Sequence, residues 1–188
     1  LVARHDLEQI ASTEQKRSAE WTARGSTWVI PTDDGEMFIG VYLCDSIKSI
    51  LSEQCPLTTL DDTNLDAFCV MVEEISHFHL MINRAVHNLE VSRLELEWQG
   101  EMDKMLLCAK LLEEQSGFDH LLPLARKFFD MAKLTNDRTS YEEANKYAAR
   151  FWYKVISNFD RIQAPEIREL LMTGYRAPWH GKVNLAAA

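Results

Sequence analysis

The spacing of apolar positions changes character along the chain. Residues 4–24 place Leu7, Ile10 and Trp21 at helical intervals before a Gly25 stop, which predicts an N-terminal helix with a thin apolar face. The period then shortens. Thr27–Ile30 and Met37–Cys44 are rich in β-branched and aromatic residues around the turn sequence Pro31-Thr32-Asp33-Asp34-Gly35, so a β-hairpin is predicted over 27–44. Two strands are not stable alone, and the hairpin must lie on something else. From Ser46 onward the helical period returns. It predicts helices over 46–53, 64–88, 93–115, 123–134 and 140–159, and a short one from Pro165 to Gly174, with Tyr175–Val183 irregular. Punctuation agrees with these bounds. Ser92-Arg93-Leu94-Glu95 and Ser140-Tyr141-Glu142-Glu143 are capping boxes, Pro123 suits a first helical turn, and Ser116-Gly117 ends a helix. The expected fold is mainly α: a helical bundle with one attached β-hairpin. An N-terminal helix (1–24) precedes a single helical domain (25–183), and 184–188 has the look of a vector-derived tail.

At 188 residues the chain suits one domain with a full core. Its longest apolar block, Ala67–Val72, is far too short to span a bilayer, and residues 1–4 open no apolar signal region, so neither membrane nor secretion is expected. Cys44, Cys55, Cys69 and Cys108 form no C-x-x-C; Cys69 and Cys108 fall on apolar helical stripes, where buried thiols are common. A reducing, cytoplasmic setting follows as the expectation.

The two long helices 64–88 and 93–115 carry the chemistry-bearing pattern. Leu94, Trp98, Glu101, Met105, Cys108 and Leu112 step along one stripe that Glu101 interrupts. On the earlier helix Glu74 interrupts Val70, Met71, Phe78 and Met81, and His79 interrupts Leu65, Phe68, Val72, Ile75, Ile82 and Val86. A short loop near residue 90 should make the pair antiparallel, so that positions adding to about 180 lie side by side. That register sets His79 opposite Glu101 and His77 near Asp103. A carboxylate on an apolar stripe is costly unless it is paired, protonated or bound to a metal. Glu74, His77, His79, Glu97 and Glu101 are therefore a candidate pocket, divalent-metal site or acid–base site. The plain structural alternative is a Glu101–His79 hydrogen bond that fixes helix register. Glu74-Ile75-Ser76-His77 resembles the Glu-x-x-His ligand pair of ferritin-like di-iron proteins, but the chain lacks the second Glu-x-x-His of that family.

The segments Glu74–Phe78 and Leu94–Lys104 together also resemble a pattern in uncharacterised bacterial small helical proteins, a resemblance that implies no activity and no site residue. The stripe Tyr141, Asn145, Ala148, Trp152, Val155 and Phe159 is expected in the core. Arg168, Tyr175, Arg176, Trp179, His180 and Lys182 mix cations with aromatics, either as a clamp for an anion or acidic partner or as a chain end packed on its own acidic body.

Charge refines this picture. The net value of −9 disfavours a nucleic-acid binder, yet it divides into −4 over 1–60, −9 over 61–120 and +4 over 121–188, which leaves phosphate contact open for the last third alone. No nucleotide-binding loop, metal-finger spacing or G-x-S-x-G nucleophile motif is present. The expectation is a binding or regulatory module acting through protein–protein interaction, with a protein partner or a second copy of itself. The alternatives are a metal-dependent or acid–base enzyme built on the Glu/His cluster, and an acidic nucleic-acid mimic.

Overall fold

A computed structural model of the chain describes residues 24–31, 37–117, 121–130, 140–157, 169, 172–177 and 179–187. The N-terminal helix expected over 4–24 and the hairpin turn lie almost wholly outside these residues, as do Arg168 and most of the helix expected from Pro165. Strands β1 (Gly25–Pro31) and β2 (Met37–Leu43) pair antiparallel, with Thr27 opposite Val41 and Val29 opposite Ile39. Among the described residues there follow the helices α1 (Asp45–Glu53), α2 (Leu65–Val86), α3 (Arg93–Ser116), α4 (Leu121–Asp130), α5 (Ser140–Ser157) and α6 (Trp179–Ala187). Residues 172–176 are also helical. The architecture is mainly α with an attached hairpin, as the apolar periodicity predicts.

Local chemistry sets the boundaries of the central pair. Ser92 is extended and its Oγ accepts from the Glu95 amide at 3.2 Å, while Glu95 Oε2 accepts from the Ser92 amide at 3.1 Å. The capping box thus satisfies two amides that the first turn of α3 leaves unpaired. At the far end Gly117 takes φ 86°, where a side chain would be strained, and its amide donates to the Glu113 carbonyl at 3.0 Å.

Helices α2 and α3 run antiparallel, and their paired positions show the register: Cys69 with Cys108, Glu73 with Lys104, Ser76 with Asp103, Arg84 with Glu95. Each pair of numbers adds to 177–179, close to the expected 180.

The core is built around α3. Trp98, Met102, Met105 and Cys108 are buried with Phe68 and Val72 of α2, Leu124, Ala125 and Phe129 of α4, and Ala144, Ala148, Phe151, Trp152 and Val155 of α5. Each large apolar side chain buried here contributes about 1.5–3 kcal/mol. The alanines at 144 and 148 are one turn apart, and both are fully buried. The hairpin lies on α2 rather than in the core. A Cβ built on Gly25 would fall 2.7 Å from Glu74 Cγ and 2.8 Å from Val70 Cγ1, so β1 makes its approach where no side chain intervenes.

The chain end departs from expectation. Trp179–Ala187 is helical instead of irregular, and the helix takes in most of the segment that resembles a tail. The reason is a short inward stripe. Trp179 packs edge-on against Tyr147, Lys182 is fully buried, and Leu185 packs on the core. Among the described residues no helix is long and apolar enough to cross a membrane.

Candidate metal and acid–base site

Polar side chains fill the α2–α3 seam beside the core. On α2, Glu73 and Glu74 precede His77 by four and three positions, so both lie on its side of the helix. On α3, Glu97, Glu101 and Lys104 rise by four and three positions on the facing side. Between them stands Gly100, unusual in a helix interior, where glycine costs about 1 kcal/mol relative to alanine. Its Cβ would lie 3.2 Å from Glu73 Cγ and 3.3 Å from His77 Nε2. The missing side chain lets both groups close on the α3 backbone.

The network has a cationic end and an imidazole end. Lys104 Nζ donates to Glu73 Oε2 at 2.8 Å and to Glu101 Oε1 at 2.7 Å. Burial works against its charge, but Glu101 and Glu73 outweigh that and hold its pKa above the usual lysine value. Burial raises the Glu101 carboxyl despite Lys104, and it raises Glu74 despite the hydroxyl of Thr27, which donates to Glu74 Oε2 at 2.7 Å.

At the imidazole end, His77 Nδ1 is 3.9 Å from Glu74 Oε2 and Nε2 is 3.8 Å from Glu97 Oε2. His77 is 8% exposed, and its Nε2 has no hydrogen-bond partner among the described residues. Burial pushes its pKa below the ordinary histidine value, against the pull of Glu73, so the ring is neutral at pH 7 and offers a lone pair. Glu97 also lies 3.5 Å from Arg93 Nε at the solvated edge.

Glu73, His77 and Glu97 each present one ligand atom, all within 4.8 Å of one another. Ligand atoms about 2.1 Å from a tetrahedral ion stand about 3.4 Å apart, so the three would have to draw closer to share one. A neutral imidazole with two carboxylates suits zinc, manganese or iron(II), and three protein ligands leave a coordination position for water.

Of the residues singled out from sequence, the seam brings together Glu74, His77, Glu97 and Glu101, but not His79. His79 is exposed, with its ring 5.9 Å from that of Phe78, and Glu101 bonds to Lys104 in place of the expected histidine. Asp103 bonds Ser76 rather than meeting His77. Glu73 was missed; its four-residue spacing to His77 is the signal that marks it.

The C-terminal set divides as well. Arg176 and His180 are exposed, Tyr175 and Trp179 are half-buried, and Lys182 sits buried with Nζ 4.9 Å from the Trp98 ring centroid. Its described members therefore do not form one anion clamp. They back onto the body of the chain: Arg84, paired with Glu95 at 3.0 Å, also donates to the Ala177 carbonyl at 3.3 Å.

Comparison with protein-family models, curated proteins and solved structures finds no match to this chain.

Proposed function

We propose that the protein binds a divalent transition metal in the α2–α3 seam through Glu73, His77 and Glu97, and that it works at the ion's open position as a metal-dependent enzyme. The observation that carries this is the His77 ring: buried, without a hydrogen-bond partner on Nε2 among the described residues, and held among carboxylates. Lys104 neutralises the opposite edge of the cluster, and the open position would give a bound water whose pKa the ion lowers. The cysteine pattern supports a reducing, cytoplasmic setting for such an ion.

The test is metal analysis of protein purified without an immobilised-metal column, followed by calorimetric titration with zinc, manganese and iron(II). About one equivalent of one metal is expected. His77→Ala should abolish binding, Gly100→Ala should weaken it by crowding the imidazole, and His79→Ala should leave it unchanged. Less than about a tenth of an equivalent, with no titratable heat for any of these metals, overturns the proposal.

A second reading, protein–protein interaction, draws on one surface feature. Ile75, Ile82 and Val86 of α2 and Leu89 beyond it are exposed, Val86 by 72%, along the outer side of that helix. Light scattering that gives a larger assembly, lost on Val86→Glu, would support it; a monomer insensitive to that change would count against self-association.

A further inference from the structure

Two thiols form the next rung of the α2–α3 pair. Cys69 stands one helical turn before Glu73, and Cys108 one turn beyond Lys104, each four positions along its own helix. Their numbers add to 177, as those of Glu73 and Lys104 do, so the two cysteines face each other across the helices. Their Sγ atoms are 4.0 Å apart. The two differ in access: Cys69 is half-buried, whereas Cys108 is fully buried in the core. A reagent from solvent therefore meets Cys69 first, and Cys108 needs to reach only its neighbour. Sulfurs in a disulfide are about 2.05 Å apart, so linking these two requires them to draw together by about 2 Å.

We infer that Cys69 and Cys108 form an oxidation site, at which a hydroperoxide closes a reversible disulfide between α2 and α3. The Cys69 sulfur attacks the peroxide first. An S–O bond forms as the O–O bond breaks, the sulfur gives two electrons to the peroxide, and the thiol proton leaves with the departing oxygen as water. Cys108 then attacks the resulting sulfenic acid. The S–S bond forms as the S–O bond breaks, and the Cys108 proton leaves with the hydroxide as a second water. Two thiols and one peroxide thus give one disulfide and two waters. The electrostatics suit this order. The bond with Cys69, then burial and the charge of a Cys69 thiolate, hold the Cys108 thiol above its ordinary range, with Lys104 pulling the other way. The first step makes the Cys69 side chain neutral, which removes that opposing charge and leaves the field of Lys104 in favour of a Cys108 thiolate.

The test treats the metal-free chain with hydrogen peroxide under native conditions, blocks the remaining thiols and maps the cysteine peptides by mass. The Cys69 and Cys108 peptides are expected joined within one chain, with the loss of two hydrogens, and a thiol reductant should separate them again. Cys108→Ser should halt the reaction at a Cys69 sulfenic acid, which dimedone traps. Cys69→Ser should slow oxidation of the buried Cys108 at least about tenfold. The map of the unaltered protein decides the matter even if a variant fails to fold. The half-buried Cys44 and the exposed Cys55 report that the oxidant has acted. A Cys108 thiol still free once those two are oxidised, or a link between 69 and 108 that forms only between chains or only after unfolding in urea, overturns the inference. Neither step uses Glu73, His77 or Glu97, so the outcome does not depend on whether that cluster binds an ion.

Discussion

Replacing Lys182 with methionine should stabilise the protein. Lys182 is fully buried with no hydrogen-bond partner for Nζ among the described residues, so its ammonium is desolvated without a direct counter-ion. Burial, with Arg84 adding to it, pulls its pKa from 10.5 down to about 8, against the opposing fields of Glu95 and Asp103. At about 1.4 kcal/mol per pH unit, holding this charge in the fold costs roughly 3 kcal/mol. The Trp98 ring 4.9 Å away offsets up to about 2 kcal/mol by cation–π attraction, which leaves a net gain of about 1–3 kcal/mol for Lys182→Met at pH 7. The sign with pH follows from linkage. Below about pH 8 both folded and unfolded chains carry the charge, and the penalty is present in full. Between about 8 and 10.5 the unfolded chain holds the proton and the folded one does not, so the wild type gains stability as pH rises. Urea unfolding of both proteins at pH 7 and pH 10 measures this directly. The variant should be more stable at pH 7, and the gap should narrow towards pH 10. A variant less stable than the wild type at pH 7, or a gap that does not change with pH, would refute the placement of Lys182 as a buried, unpaired cation.

Other consequences follow from the same seam and caps. Lys104→Met leaves the half-buried Glu73 and Glu101 without their shared ammonium and should cost up to about 3–5 kcal/mol in urea unfolding. His79→Ala, on an exposed position, should change stability by less than about 0.5 kcal/mol, whereas a Glu101–His79 register pair would make it costly. Ser92→Ala removes the side-chain acceptor for the Glu95 amide and should lower stability by about 1 kcal/mol, with the far-ultraviolet signal otherwise retained. Gly25→Ala forces a contact under 3 Å on Glu74 and Val70, and it should show as faster amide exchange in β1 and β2 with the α3–α5 core unchanged.

Helices α1 to α5, the hairpin strands and the antiparallel register of α2 and α3 were legible because each rests on local chemistry: apolar period, turn residues and the Ser92–Glu95 box. The phase of the site was harder. An α-helix turns about 100° per residue, so His77 and His79 point to nearly opposite sides of α2, and an offset of one to three in the paired numbers decides which one faces α3. Periodicity placed His79 among apolar neighbours such as Ile75 and Ile82, but those neighbours are themselves exposed. The buried side is instead marked by Val72, Ser76 and Leu80, with Glu73 and His77 beside them. Polar residues on the inner side made it look like the outer one, and this is why Glu73 escaped a search for charges interrupting apolar stripes. Helix α6 escaped for the same reason, since its inward stripe contains a lysine. Local rules therefore position the elements here, while the chemistry sits where buried polar groups break those rules, and each break has an identifiable partner or lacks one. His77 Nε2 is an atom without a partner among the described residues, and it stands with the carboxylates of Glu73 and Glu97, where a bound ion would satisfy it.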